Sequence, residues 1–133
     1  MYRFILLSVV GFFFFILWVI YMANTGQNSI FFDFVRSIPY GDKIGHFCLF
    51  GVLTLGANYV FKFQKLEAYG IRLFLGTVLV IAFIVVEELS QHFVPTRTLD
   101  LFDLLADAAG VFLFSYLSEY MRFRFPRLNL ERA

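Results

Sequence analysis

IRLFLGTVLVIAFIVVEELSQHF occupies residues 71–93. From Leu73 to Val86 it carries no charge; then Glu87 and Glu88 arrive together, with Gln91 and His92 close behind. An apolar run of this kind reads as a bilayer-crossing helix, which takes about 20 residues for ~30 Å of hydrocarbon. The polar ending is unusual, because charge beside hydrocarbon is expensive and generally marks a working site.

Three other stretches, residues 4–23, 44–61 and 101–120, have the same apolar character. Of the 133 residues, 60% are hydrophobic and 16% charged, against roughly 45–50% and about 25% in soluble domains. A soluble fold of this size has too little interior to hide so much apolar surface. The expectation is an all-α fold, a single membrane domain over residues 1–133 with four transmembrane helices. The first stretch follows Arg3 as a signal peptide would, but it is too long, and Tyr21-Met22-Ala23 lacks the small residue that cleavage needs. It is expected to stay as an anchor.

Lysine and arginine set the orientation. Arg3, Lys62, Lys65, Arg72, Arg122, Arg124, Arg127 and Arg132 fall on one side, and Arg36, Lys43 and Arg97 on the other. Both termini are therefore expected in the cytoplasm. The first outer loop, residues 24–41, contains Ile30-Phe31-Phe32-Asp33-Phe34-Val35, too short to span and too apolar for water. A short interfacial or re-entrant segment suits it. Pro39-Tyr40-Gly41 then signals a turn into the second span. Gly45, Gly51 and Gly56 on that span, and Ala106 with Gly110 on the fourth, are candidates for close helix packing.

This topology brings ten polar residues to one face: Asp42, Lys43, His46, Glu87, Glu88, Gln91, Arg97, Asp100, Asp103 and Asp107. Asp42 and His46 are four apart, as are Glu87 and Gln91, and Asp100, Asp103 and Asp107 follow i, i+3, i+7, so each set shares one helix face. Asp42 and Asp100 also suit helix N-caps. Glu87 shares a face with Gln91, which points Glu87 inward and Glu88 to the rim. His92 suits the headgroup level. Asp103 and Asp107 lie past the first turn and have no capping role to explain them. The candidate polar site is Asp42, Lys43, His46, Glu87, Gln91, Arg97, Asp103 and Asp107. Crowded carboxylates in a low dielectric cannot all stay ionised unless a cation balances them. His46, Asp103 and Asp107 are the donors for such a metal, and no organic cofactor is indicated.

Other classes have little support. A net charge of +1 gives no field for nucleic acid, and the basic tail Arg122-Phe-Arg124-Phe-Pro-Arg127 is explained by anchoring at the lipid surface. Cys48 is the single cysteine; inside an apolar run it reads as a small buried hydrophobe. There is no HExxH, Gly-rich phosphate loop, CxxC pair or Ser/His/Asp order.

The order Asp42-Lys43-Ile44-Gly45-His46-Phe47, Glu87-Glu88-x-x-Gln91, Pro95-x-Arg97 and Asp103-x-x-Ala106-Asp107-x-x-Gly110 resembles the VanZ-like family of small bacterial membrane proteins. The resemblance covers residues 39–116 and departs at Asp107, where the family usually has asparagine. It implies a multi-pass protein of the bacterial inner membrane, linked in some members to glycopeptide (teicoplanin) resistance, and it implies no particular reaction.

Three functions compete. In the first, the outward-facing polar site handles the headgroup of a membrane lipid or cell-wall precursor, with Lys43 and Arg97 contacting the anion. The second is a metal-dependent membrane hydrolase. The third is a proton-coupled transporter, or a scaffold for an envelope enzyme. The sequence leaves the oligomeric state open.

Overall fold

The computed structural model describes residues 1–27 and 29–127. Asn28 in the first outer loop and residues 128–133, including the tail cation Arg132, lie outside the described residues. The described chain is mostly helical: five helices and one short hairpin.

Helix α1, Tyr2–Asn24, is apolar on nearly every side, and only its Ile16 is fully buried. Helix α2, Ile30–Ser37, is the short apolar segment expected in the first outer loop; Ser29 Oγ caps it by accepting from the Phe32 N–H at 3.3 Å. A tight corner at Tyr40, with a left-handed φ of 55°, leads into α3, Gly41–Val60. Gly41 is required there, because a Cβ would collide with the Val35 carbonyl.

The next element departs from expectation. Residues 71–74 do not begin a helix. Strand β1, Lys65–Ala68, pairs antiparallel with β2, Ile71–Phe74, and helix α4 runs only over Leu75–Gln91. Tyr69 and Gly70 both have positive φ, 54° and 77°, the backbone of a tight two-residue hairpin turn. Arg72 sits opposite Glu67, with Nε 3.2 Å from the carboxylate. The all-α expectation thus gains a hairpin, and the third span loses its first turn. Helix α5, Leu101–Arg124, starts at Asp100, whose side chain accepts from the Phe102 N–H at 2.8 Å.

Among the described helices, α1 and α5 are long and apolar enough to cross a membrane by length and composition, with mean hydropathies of 2.7 and 1.5. Helix α3 is the hub. It packs most extensively on α5 and also contacts α4, α1 and α2. The α3–α5 approach is close because Gly110 lies against the Phe47 backbone and Gly51 against the Phe114 ring, with no room for a Cβ at either. Gly56 likewise meets Val9 of α1. Gly45 is different: a Cβ there would touch nothing within 4 Å, so it is not a packing position. Ile16, Phe50, Leu53, Val80, Ile84 and Val111 form the apolar core.

Below that core Asn58 is fully buried. Its Nδ2 donates to Thr77 Oγ1 and Ser118 Oγ, both at 3.0 Å, and Thr77 is also 2.8 Å from Ser115 Oγ. One amide thereby ties α3, α4 and α5 together. At this end the Tyr2 hydroxyl donates to the Val60 carbonyl at 2.9 Å, and Lys65 pairs with Glu119 at 2.8 Å. The start of α1, the hairpin and the later part of α5 therefore share one end of the bundle. Cys48, expected to be buried, is exposed on α3; in an apolar helix with one packed face, its place in the turn points it outward.

Candidate functional site

At the opposite end, three helix termini deliver polar side chains to one place. The first turn of α3 brings Asp42 and Lys43, and the second brings His46. The last turns of α4 bring Glu87, Glu88 and Gln91. The first two turns of α5 bring Asp103 and Asp107, preceded by the cap Asp100.

Lys43 organises the outer layer. Its Nζ lies 2.7 Å from Asp42 Oδ2, 2.8 Å from Asp100 Oδ2 and 2.7 Å from Asp103 Oδ1. An ammonium has three N–H donors, so all of them are committed. Asp42, Lys43 and Asp100 precede the apolar runs that begin at Ile44 and Leu101, whereas Asp103 lies inside the second run. Hydrogen bonding to Lys43 holds the carboxyls of Asp42 and Asp100 below the ordinary value of 3.8. The carboxylates, Asp100 foremost, push Lys43 above its ordinary 10.5. Asp42 is not a helix cap; Tyr40 holds that position with no side-chain bond. Asp100 is one.

The deeper layer centres on His46. Its Nδ1 lies 2.9 Å from Asp107 Oδ1, and its Nε2 lies 3.7 Å from Asp103 Oδ2. Asp107 has no solvent exposure. Gln91 Nε2 donates to both oxygens of Glu87, at 3.0 and 2.9 Å, and reaches Glu88 Oε1 at 3.5 Å. Arg97 completes this layer: Nη2 is 3.5 Å from Glu87 Oε1, while Nη1 donates to Asn24 Oδ1 at 3.2 Å. Thr96 Oγ1 donates to the Asn24 carbonyl at 2.9 Å. The loop between α4 and α5 is thus pinned to the end of α1.

All eight sequence-predicted site residues fall in this region. Two departures matter. Glu88, expected at the rim, is only 4% exposed. Asp103, expected among the metal donors with His46 and Asp107, is held by Lys43; Glu88 takes its place. His46, Glu88 and Asp107 each offer a ligand atom within 4.8 Å of the others. Glu88 Oε2 and Asp107 Oδ2 are buried and find no hydrogen-bond partner. Asn24 was not singled out in the sequence, where a lone asparagine at a helix end looks like an ordinary terminator. His92 is exposed, with its ring against Phe93.

A recess of about 180 Å³ opens beside this cluster, between α1, α2 and α3. Ile16, Ile20, Phe31, Phe32 and Leu49 contribute apolar wall, and Arg36, Asp42, His46, Glu87 and Arg97 the polar groups. Lys43 does not line it. A larger groove of about 660 Å³ runs between α4, α5 and the hairpin, but it is lined mostly by apolar side chains and contains none of the cluster.

No family model matches this chain, and no solved structure matches it. A curated relative is an uncharacterized protein of Schizosaccharomyces pombe, C11E3.10, 33% identical over 98 residues, which are 71% of this chain and 57% of that protein. The chain therefore spans little more than half the length of that relative. These comparisons overturn the resemblance to the VanZ-like family. The motif order is not supported by any family model, and the relative belongs to a eukaryote. The bacterial envelope, the cell-wall precursor and the glycopeptide resistance were implied by that resemblance and lapse with it.

Proposed function

We propose that the chain is a multi-pass membrane protein whose polar recess holds the headgroup of a membrane lipid. Helices α1, α3, α4 and α5 cross the bilayer, both termini face the cytoplasm, and the recess opens on the opposite side. Large apolar side chains support the membrane reading: Phe4, Leu7, Phe14 and Trp18 on α1, and Leu105, Phe112 and Tyr116 on α5, are exposed, a surface that water tolerates only in small patches. The eight-to-three lysine and arginine bias supports the orientation. Helix α4 has 17 residues, about 26 Å at 1.5 Å each, a mismatch that local thinning of the bilayer accommodates.

The observation that carries the lipid reading is the recess itself, with apolar wall from α1, α2 and α3 beside the polar groups Arg36, Asp42, His46, Glu87 and Arg97. Its volume of about 180 Å³ is below the roughly 300–1,000 Å³ of sites that enclose a whole drug-sized ligand. It suits a headgroup and its first carbons, with the rest of the chain left in the bilayer. Two arginines line the recess, and Arg97, 17% exposed against 66% for Arg36, is the one set deep enough to meet an anionic group inside it. A through-path for protons is less well supported: the apolar core of Phe50, Leu53, Ile84 and Val111 lies between the recess and the Asn58 network.

Native mass spectrometry of the protein released from nanodiscs of mixed lipids, with chelator present, tests this. Wild type is expected to retain one lipid, and Arg97→Ala to lose it. A wild-type protein that emerges free of lipid, or an Arg97→Ala protein that retains lipid equally, sinks the reading.

A further inference from the structure

We infer that His46, Glu88 and Asp107 form a binding site for a divalent cation beside the recess. Each of the three offers one ligand atom, and these atoms lie within 4.8 Å of one another. They come from three different helices, so the arrangement is built by the fold and not by local sequence. The second observation is independent of the spacing. Glu88 and Asp107 are 4% and 0% exposed, yet each keeps one oxygen with no partner. A buried carboxylate oxygen left unpaired bears the full cost of its lost hydration, and two of them beside one imidazole are what a cation would satisfy.

Charge supports the same site. Glu87 has Arg97 beside it, and Asp42, Asp100 and Asp103 share Lys43. Among the described residues, Glu88 and Asp107 have only His46 as a potential cation nearby, through a single hydrogen bond from the imidazole to Asp107. A neutral histidine with two carboxylates matches the charge of a divalent ion. One nitrogen and two oxygens favour a manganese- or magnesium-like ion over zinc, which prefers sulfur and several imidazoles. Asp103 Oδ2 lies 3.7 Å from His46 Nε2, beyond hydrogen-bond distance. His46 lines the recess, as Arg97 does, so a cation held by His46 borders the same cavity as that guanidinium. Where the lipid reading holds, a phosphate is the headgroup group that both would recognise.

The test uses the full chain in detergent, stripped with chelator, dialysed and titrated with Mn²⁺. Loss of the free Mn²⁺ signal in electron paramagnetic resonance reads the binding. Wild type is expected to bind one Mn²⁺ per chain, saturably. Removing even a group that only supports a metal ligand costs about 10–100-fold in affinity, so Glu88→Gln and His46→Gln are each expected to weaken binding at least tenfold. Glu67→Gln, on the distant hairpin, is expected to bind as wild type does. Circular dichroism confirms that each variant keeps its helices, and Asp107→Asn replaces any that does not. No saturable binding by wild type overturns the inference, as does equal binding by the ligand variants, which would mark an adventitious acidic surface. Because lipid retention is measured in chelator, failure of this site and failure of the lipid reading are separate results.

Discussion

Lys43 and Asp100 are 57 residues apart in the chain, and their charged atoms are 2.8 Å apart in the fold. The contact joins the first turn of α3 to the cap of α5. With Asp42 and Asp103 on the same ammonium, Lys43 closes one end of the tightest helix pair in the molecule. Lys43→Met would leave three carboxylates facing one another without a cation. The melting temperature in detergent should fall, by roughly 3–8 °C if about 1 kcal/mol is lost. Lys43→Arg should recover part of that fall. An unchanged melting curve for Lys43→Met would show the cluster to be structurally idle.

Acid should act on this contact in a definite direction. The Asp100 carboxyl is held below its ordinary 3.8 by Lys43, so the stability it contributes is present above that value and is lost as pH falls through the lowered one. Lys43, which faces Asp42, Asp100 and Asp103, is raised above 10.5; its contribution is complete below 10.5 and is lost only at more alkaline pH. Asparagine caps helices about as well as aspartate. Asp100→Asn therefore removes the charge and keeps the cap. Its deficit against wild type in thermal unfolding should be constant from about pH 5 to 9 and shrink below pH 3.8. A deficit that grows in acid would contradict the assignment.

At the other end, Asn58→Ala removes an amide that Thr77 and Ser118 both use as a partner. Interhelical hydrogen bonds in membrane proteins average about 0.6 kcal/mol and reach about 1.7, so a loss of about 1–2 kcal/mol is expected in reversible unfolding from micelles. Ser118→Ala, which keeps the Asn58–Thr77 bond, should cost less.

Gly45 gives a clean probe of the recess. It lines the cavity, and a Cβ there meets nothing within 4 Å. Gly45→Leu should fill the space while leaving helicity unchanged, and lipid retention should drop at least severalfold in native mass spectra. Gly110→Val is the contrasting case. Its side chain would run into the Phe47 carbonyl, so the α3–α5 contact, and with it the folded yield, should be lost.

Much of this architecture was legible in residue order. The long apolar runs gave α1, α3 and α5 to within a few residues, and the apolar stretch from Ile30 to Val35 pointed to a separate short segment where α2 lies. The convergence of Asp42, Lys43, His46, Glu87, Arg97, Asp103 and Asp107 followed from counting turns. The hairpin was hidden because Ile71-Arg72-Leu73-Phe74 adjoins an apolar helix and hydropathy alone merges the two. The alternation in Lys65-Leu66-Glu67-Ala68 and the Tyr69-Gly70 pair were the signals for it. Glu88 was misplaced for a geometric reason. Adjacent residues on a helix point about 100° apart, so only one can face straight into a two-helix seam. The end of α4, however, meets both α3 and α5, and both carboxylates find cover. A motif order that suggested a family proved too short a signature, since similar charges at helix ends arise wherever a bundle buries a polar recess.

The corner between α2 and α3 has one further consequence. The Val35 carbonyl occupies the space beside Gly41, so any larger residue at 41 would push α2 away from α3. Val35 and Arg36 line the cavity, so that displacement would widen its mouth: a glycine outside the polar cluster sets how closely the cavity is walled.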